Sequence, residues 1–241
     1  MAISTNPLAW LRSVQPRRAI ALLLLLLPLT VGAQTVRDLW LSMPPSFVPY
    51  LSTSLRTQCL DFYDMHTDAQ TDNALKGKSR IDTLTSTFLA ATLSKAHTLQ
   101  MKLLPASGSG SGSASASSMV SGSGSSSSLS SCDSVLCVVR SWDGPKRDSE
   151  VQLFDRQWKP LQAPLTFSAD SFVCRPDTMS EERFSRLVAL LDPIMFSVSL
   201  SPAENVLLVK LSPVVPNPED EKAIEQILVQ RKLKWDGKTF K

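Results

Sequence analysis

Residues 106–131 read ASGSGSGSASASSMVSGSGSSSSLSS, a stretch without charge that holds five of the chain's nine glycines. Such a segment has too little apolar surface to offset the entropy lost on ordering, so it is predicted to be disordered, flexible coil. Any packed structure must therefore be assembled from the sequence on either side. With 43% hydrophobic and 20% charged residues, the 241-residue chain has enough apolar material for one domain or two small ones. Whether the tract is an inter-domain linker or a loop within one domain turns on a repeat.

Residues 92–105, TLSKAHTLQMKLLP, and 199–213, SLSPAENVLLVKLSP, share LS, A, L, a Met or Val, then K, L and P, with one inserted residue. This likeness suggests a duplicated unit. Each copy reads as a β-hairpin. Leu89, Ala91 and Leu93 alternate before the first turn, and Leu99, Met101 and Leu103 return on the same face. Phe196, Val198 and Leu200 lead into the second turn, with Leu207, Val209 and Leu211 returning. Pro202 and Asn205 suit that turn, since proline pre-sets its φ and asparagine tolerates the left-handed region.

A helix is predicted before each hairpin. Val48, Leu51, Leu55, Cys59 and Phe62 form one apolar stripe, started late by Pro44, Pro45 and Pro49. Phe184, Leu187, Val188 and Leu191 form the other, after a capping pattern at Thr178-Met179-Ser180-Glu181 and before Pro193. Strands are expected at 134–142 and 150–154, a last helix with Asn217 as N-cap and Pro218 at its first position, and a closing strand at 232–235. The predicted class is α+β, an antiparallel sheet with helices packed on one face, in a single domain over 34–241 interrupted by the tract.

Arg17 and Arg18 precede a 13-residue apolar run, AIALLLLLLPLTV, and then Val31-Gly32-Ala33, small residues where a signal peptidase cleaves. The run is too short to span a bilayer, which takes roughly 20 residues. Residues 1–33 are therefore read as a signal peptide cut between Ala33 and Gln34, giving an exported, soluble product of the periplasm or exterior with no transmembrane anchor. Arg12, Arg17 and Arg18 lie in that segment, which has no acid; without them 22 basic residues face 22 acidic ones. A neutral mature chain gives no electrostatic reason to expect nucleic acid as a partner.

Motif chemistry is sparse. GxSxG, GxGxxG, the Walker loop and HExxH are all missing, and neither His66 nor His97 sits in a metal-binding pattern, so no cofactor or metal is expected. His97 falls on a hairpin turn and reads as solvated. Asp61, Asp64 and Asp68 near His66 read as a solvated helix end, because calcium loops need tighter oxygen alternation and a glycine turn. Cys59, Cys132, Cys137 and Cys174 allow three full pairings. Cys137, inside an all-apolar run, reads as a small buried hydrophobe, and Cys132–Cys174 is the pair that adjoining strands would permit. Lys232 and Lys234, alternating with Leu233 and Trp235, suit a charged edge strand. Trp142 and Trp158 sit beside turns, where they pack at the rim of the core or offer an aromatic contact surface to a partner.

The segments LDFYDM from Leu60, DTLT from Asp82, LQMKLLP from Leu99, DSVLCVVRSW from Asp133 and LKWDGKTF from Leu233 resemble a family of secreted Bacteroidetes proteins known only as a domain of unknown function. The likeness covers most of residues 36–241 and departs at the Ser/Gly tract. It implies a Gram-negative cell envelope and supplies no activity. By looser analogy the duplicated plan is similar to periplasmic inhibitor and PepSY-like domains, in fold alone.

Two functions remain. One is an envelope module binding a protein or peptide through an open sheet face or edge. The other is a hydrolase using His66 and nearby carboxylates such as Asp64, with Ser94 as nucleophile. The absent catalytic motifs favour the first.

Overall fold

In a computed structural model, residues 34–106, 134–215 and 217–241 can be described. The expected signal peptide with its cleavage after Ala33, residues 107–131 of the Ser/Gly tract, and Cys132 lie outside them.

The chain begins with α1 (Val36–Ser42), whose Thr35 N-cap and Asp38 form a reciprocal capping box. Helix α2 (Thr53–Asp64) follows from Ser52 as N-cap, so the prolines do delay it. Then come β1 (Thr71–Asp72), β2 (Lys78–Leu84), β3 (Phe88–Ser94), β4 (His97–Pro105), β5 (Ser134–Asp143) and β6 (Arg147–Phe154). They form one antiparallel sheet in sequence order, a meander of six strands. Helix α3 (Glu181–Ala189), β7 (Phe196–Leu200), β8 (Val206–Leu211), α4 (Pro218–Glu225) and β9 (Arg231–Lys234) complete the chain, with β7, β8 and β9 in a second antiparallel sheet. The class is α+β, as the alternation of helical and strand periods indicated.

Both faces of the large sheet carry a core, although β2 and the turns beside it stay open on one of them. Alternation sends Leu89, Ala91, Leu93, Leu99 and Met101 to one face, where they bury against Val36, Leu39 and Trp40 of α1 and Cys59 and Leu60 of α2. The opposite set, including Leu104, Val135, Cys137, Val139, Val151 and Leu153, buries against the second sheet and residues of α3 and α4. Cys137 is a free, fully buried thiol, matching the all-apolar run around it. Residues 34–241 cluster as one unit.

Two buried cations fasten these layers without any carboxylate. Arg56 of α2 donates to the carbonyls of Trp40 (3.0 Å) and Met43 (2.7 Å), tying the chain between α1 and α2. Lys102 of β4 donates to the carbonyls of Ser201, Pro202 and Glu204 at 2.6, 3.1 and 2.6 Å, so one copy of the repeat holds the turn of the other. Lys210, which aligns with Lys102 in the repeat, is exposed.

Candidate functional site

Two antiparallel sheets have four edges, and three are occupied, at least in part, by this chain itself. The outer edge of β6 takes main-chain bonds from Leu161 to Leu153 and Leu165 to Val151. That of β7 is capped by side chains of the large sheet: Asp148 accepts from the amide of Phe196, Ser149 from Val198, and Gln100 from Leu200. Lys234 of β9 exchanges both main-chain bonds with Lys241, as the tail folds back. On the fourth edge, β1 pairs only with Lys78 and Ser79. At the far end the Tyr63 hydroxyl accepts from the Leu84 amide at 3.1 Å. Residues 80–83 of β2 lie between, without a strand partner on that side.

The opening follows from how α2 ends. His66 takes the left-handed conformation (φ 52°), the Met65 and His66 amides bond back to the carbonyls of Asp61 and Tyr63, and the Thr67 amide bonds to that of Phe62. After this C-terminal cap, residues 66–69 run along the groove beside residues 80–82, unpaired with β2, before β1 rejoins the sheet. The gap is a groove of about 450 Å3 lined by Cys59, Phe62, Tyr63, His66, Asp68 and residues 80–82. Asp82 accepts from Arg80 Nε and from Thr92 Oγ1, both at 2.7 Å. The register of β2 against β3 slips between Ile81 and Thr83, making Asp82 a bulge. Burial pushes the Cys59 thiol up, which suits a structural thiol at the back of the groove.

On the other face of the same strands lies a wider concavity of about 690 Å3, lined by Leu75, Lys76, Gly77, Lys78, Arg80, Thr92, Ser94 and Lys95. Asn73 organises its rim. Its carboxamide oxygen accepts from the amides of Leu75 and Gly77, and its nitrogen donates to Ser79 Oγ and the Leu93 carbonyl. A Cβ on Gly77 would sit 3.1 Å from that nitrogen, so the turn has room for little else.

The hydrolytic triad considered from the sequence is not assembled. Asp64 is held by both guanidinium nitrogens of Arg37 (3.0 and 2.5 Å), whose hydrogen bond lowers its pKa, with His66 a minor contributor. Ser94 lines the opposite concavity, and its hydroxyl accepts from the Ala96 amide. His66 is exposed at the groove mouth.

Trp142 and Trp158 do not share a surface. Trp158 sits at φ 64° in the turn after β6 and points inward, 7% exposed, with its indole donating to the Leu39 carbonyl at 3.2 Å and its ring against Phe47 and Phe154. It is a core residue because the turn at Asp155 reverses the chain over the α1 layer. Trp142 remains 39% exposed and stacks on His97 at 5.4 Å, nearly parallel, beside the Arg140 guanidinium. His97 is half-buried rather than solvated, and its Nδ1 bonds the Tyr50 hydroxyl. Burial raises the Tyr50 phenol to about 12 and lowers His97, with Arg140 adding to the latter. Both groups are held in their neutral forms, and either can donate in the bond between them, according to the imidazole tautomer. Cys174 is exposed; its proposed partner Cys132 is outside the described residues. Lys232 pairs with Glu204 on the exposed side of β9.

What the sequence reading missed is the edge itself. Its signal was present in the shortness of the segment between Asp68 and Asn73, too brief to pair the whole of β2.

Among the described residues, no group of three His, Cys, Asp or Glu is placed to hold a metal ion, and no helix is long and apolar enough to cross a membrane. No curated protein matches the chain. A solved structure, described as that of a domain of an uncharacterized protein from Porphyromonas gingivalis W83, is 22% identical over 86% of this chain and 98% of that one, with a TM-score of 0.61. This likeness is one of fold, to a Bacteroidetes protein. A family model described as "Protein of unknown function (DUF3256)" matches residues 28–130 and 125–240, and the chain belongs to that family.

Proposed function

We propose that the protein is an exported, non-catalytic module of the cell envelope that binds a protein segment in extended form along residues 80–83 of β2. The observation that carries this reading is the contrast among edges: three are met, at least in part, by the chain's own backbone or side chains, while the fourth opens on a groove. Uncovered strand edges recruit other strands, and a groove beside one supplies pockets for side chains. The export component comes from the Arg17-Arg18 pair, the apolar run and the small residues before Gln34.

The test is an amide chemical-shift titration with the hexapeptide Thr-Val-Thr-Val-Thr-Val and with a copy N-methylated at alternate residues, which cannot complete a ladder. Binding of the first, with shifts centred on residues 80–83, and loss of binding by the second are expected. Equal binding of both peptides would refute edge pairing. Turnover of ester or peptide substrates by the pure protein, lost in His66→Ala, would establish the hydrolase instead.

A further inference from the structure

We infer that the segment taken by the β2 edge carries acidic side chains at every second position, with small or apolar ones between. This deepens the reading of β2 as a peptide-binding edge and depends on it. In an antiparallel pair, residues directly opposite one another project to the same face, so an added strand repeats the alternation of its partner. In β2 that alternation is sharp: Lys78, Arg80 and Asp82 are exposed, whereas Ser79 and Ile81 are buried. A guest residue opposite Ile81 therefore meets the groove lined by Cys59, Phe62 and Tyr63. Its neighbours meet the other face, where Lys76, Lys78, Arg80 and Lys95 line the concavity.

The charge on that face is not balanced internally. Asp72 pairs with Lys78 and Asp82 with Arg80, both across exposed side chains. Lys76 and Lys95 have no ion pair among the described residues. Neither has an acidic neighbour in the chain: Lys76 sits between Leu75 and Gly77, and Lys95 between Ser94 and Ala96. The surplus is local, because the chain after residue 33 has 22 bases and 22 acids. A net positive face beside a free edge selects, by charge, a strand whose outward residues are Asp or Glu.

The experiment compares three hexapeptides by fluorescence anisotropy in low salt: Glu-Val-Glu-Val-Glu-Val, the same peptide with Gln for Glu, and the same with Lys for Glu. Two exposed ion pairs amount to roughly two- to thirtyfold in affinity, so the Glu peptide should bind about tenfold tighter than the Gln peptide, and the Lys peptide weakest. The preference should shrink in 1 M salt, where the screening length is about 3 Å. It should also shrink in Lys76→Asn with Lys95→Gln, asparagine being chosen because Lys76 sits at φ 58°. If the Gln and Glu peptides bind equally, the acidic preference is wrong and edge binding stands. If none binds, both fall. Tighter binding of a thymidine oligonucleotide than of the Glu peptide would assign the basic face to nucleic acid and overturn the inference.

Discussion

The ammonium nitrogen of Lys102 lies 2.6 Å from the carbonyl oxygen of Glu204, at the point where the two related hairpins meet. Lys102→Met keeps the aliphatic stem but leaves the carbonyls of Ser201, Pro202 and Glu204 without their donor, at a cost of about 2 kcal/mol. Lys210→Met, the same change at the matching exposed position, should alter stability by less than about 0.5 kcal/mol. Urea unfolding of the two variants measures the difference, and equal costs would show that Lys102 does not fasten the sheets.

The tryptophans should behave oppositely. Trp158→Ala removes a buried indole and its bond to Leu39, and is expected to cost about 3–5 kcal/mol. Trp142→Ala loses mainly its stack on His97, about 0.5–1.5 kcal/mol. Thermal unfolding followed by circular dichroism distinguishes them, and a Trp142 cost matching that of Trp158 would contradict the exposure of the former.

Acid should weaken the fold through His97. Its pKa is held below the ordinary 6.5 by burial and by Arg140, so the unfolded chain takes up the proton first as pH falls. The stabilisation is therefore complete above 6.5 and is lost as pH drops through the lower folded value. The groups facing the ring are Tyr50, Arg140 and, through Arg140, Glu150. His97→Phe should flatten the dependence of melting temperature on pH between 7 and 5. An unchanged slope in His97→Phe would place the acid sensitivity elsewhere.

Pro105 and Ser134 are paired residues of β4 and β5, so the connection between them closes onto an existing ladder. Deleting residues 107–130 should change stability by less than about 1 kcal/mol, because loop-closure entropy varies slowly with length. A larger loss, or release of two folded halves by limited proteolysis, would defeat the single-domain reading of 34–241.

N-terminal sequencing of the protein recovered from the envelope should begin at Gln34. Recovery of the exported form with Met1 intact would remove the signal-peptide assignment.

Much of the architecture was legible locally. The hairpins at 88–105 and 196–211 showed a period of two, and Asn217-Pro218 marked the start of α4 without ambiguity. Thr178 was read as part of the cap of α3, but the capping side chain is Ser180, which accepts from the Arg183 amide. Helix α1 was not foreseen, although Val36, Leu39 and Trp40 follow helical spacing, because seven residues ahead of two prolines give too short a stripe. The division into two sheets was invisible for a different reason: it is decided by contacts between segments about a hundred residues apart, such as Gln100 with Leu200. His97 read as a solvated turn residue for the same cause, and nothing near Lys102 foretold its burial. Burial of a polar side chain is set by partners from elsewhere in the chain, and nothing adjacent to it announces them.

Asp148, Ser149 and Gln100 bond to the backbone amides of β7 and not to its side chains. These bonds therefore place no demand on the side chains of β7, three of which, Phe196, Val198 and Leu200, answer to the core. A change at Ser197 or Ser199 touches none of these bonds, whereas a change at Asp148, Ser149 or Gln100 removes one. The hydrogen bonding of this edge is thus specified by residues that lie outside the strand.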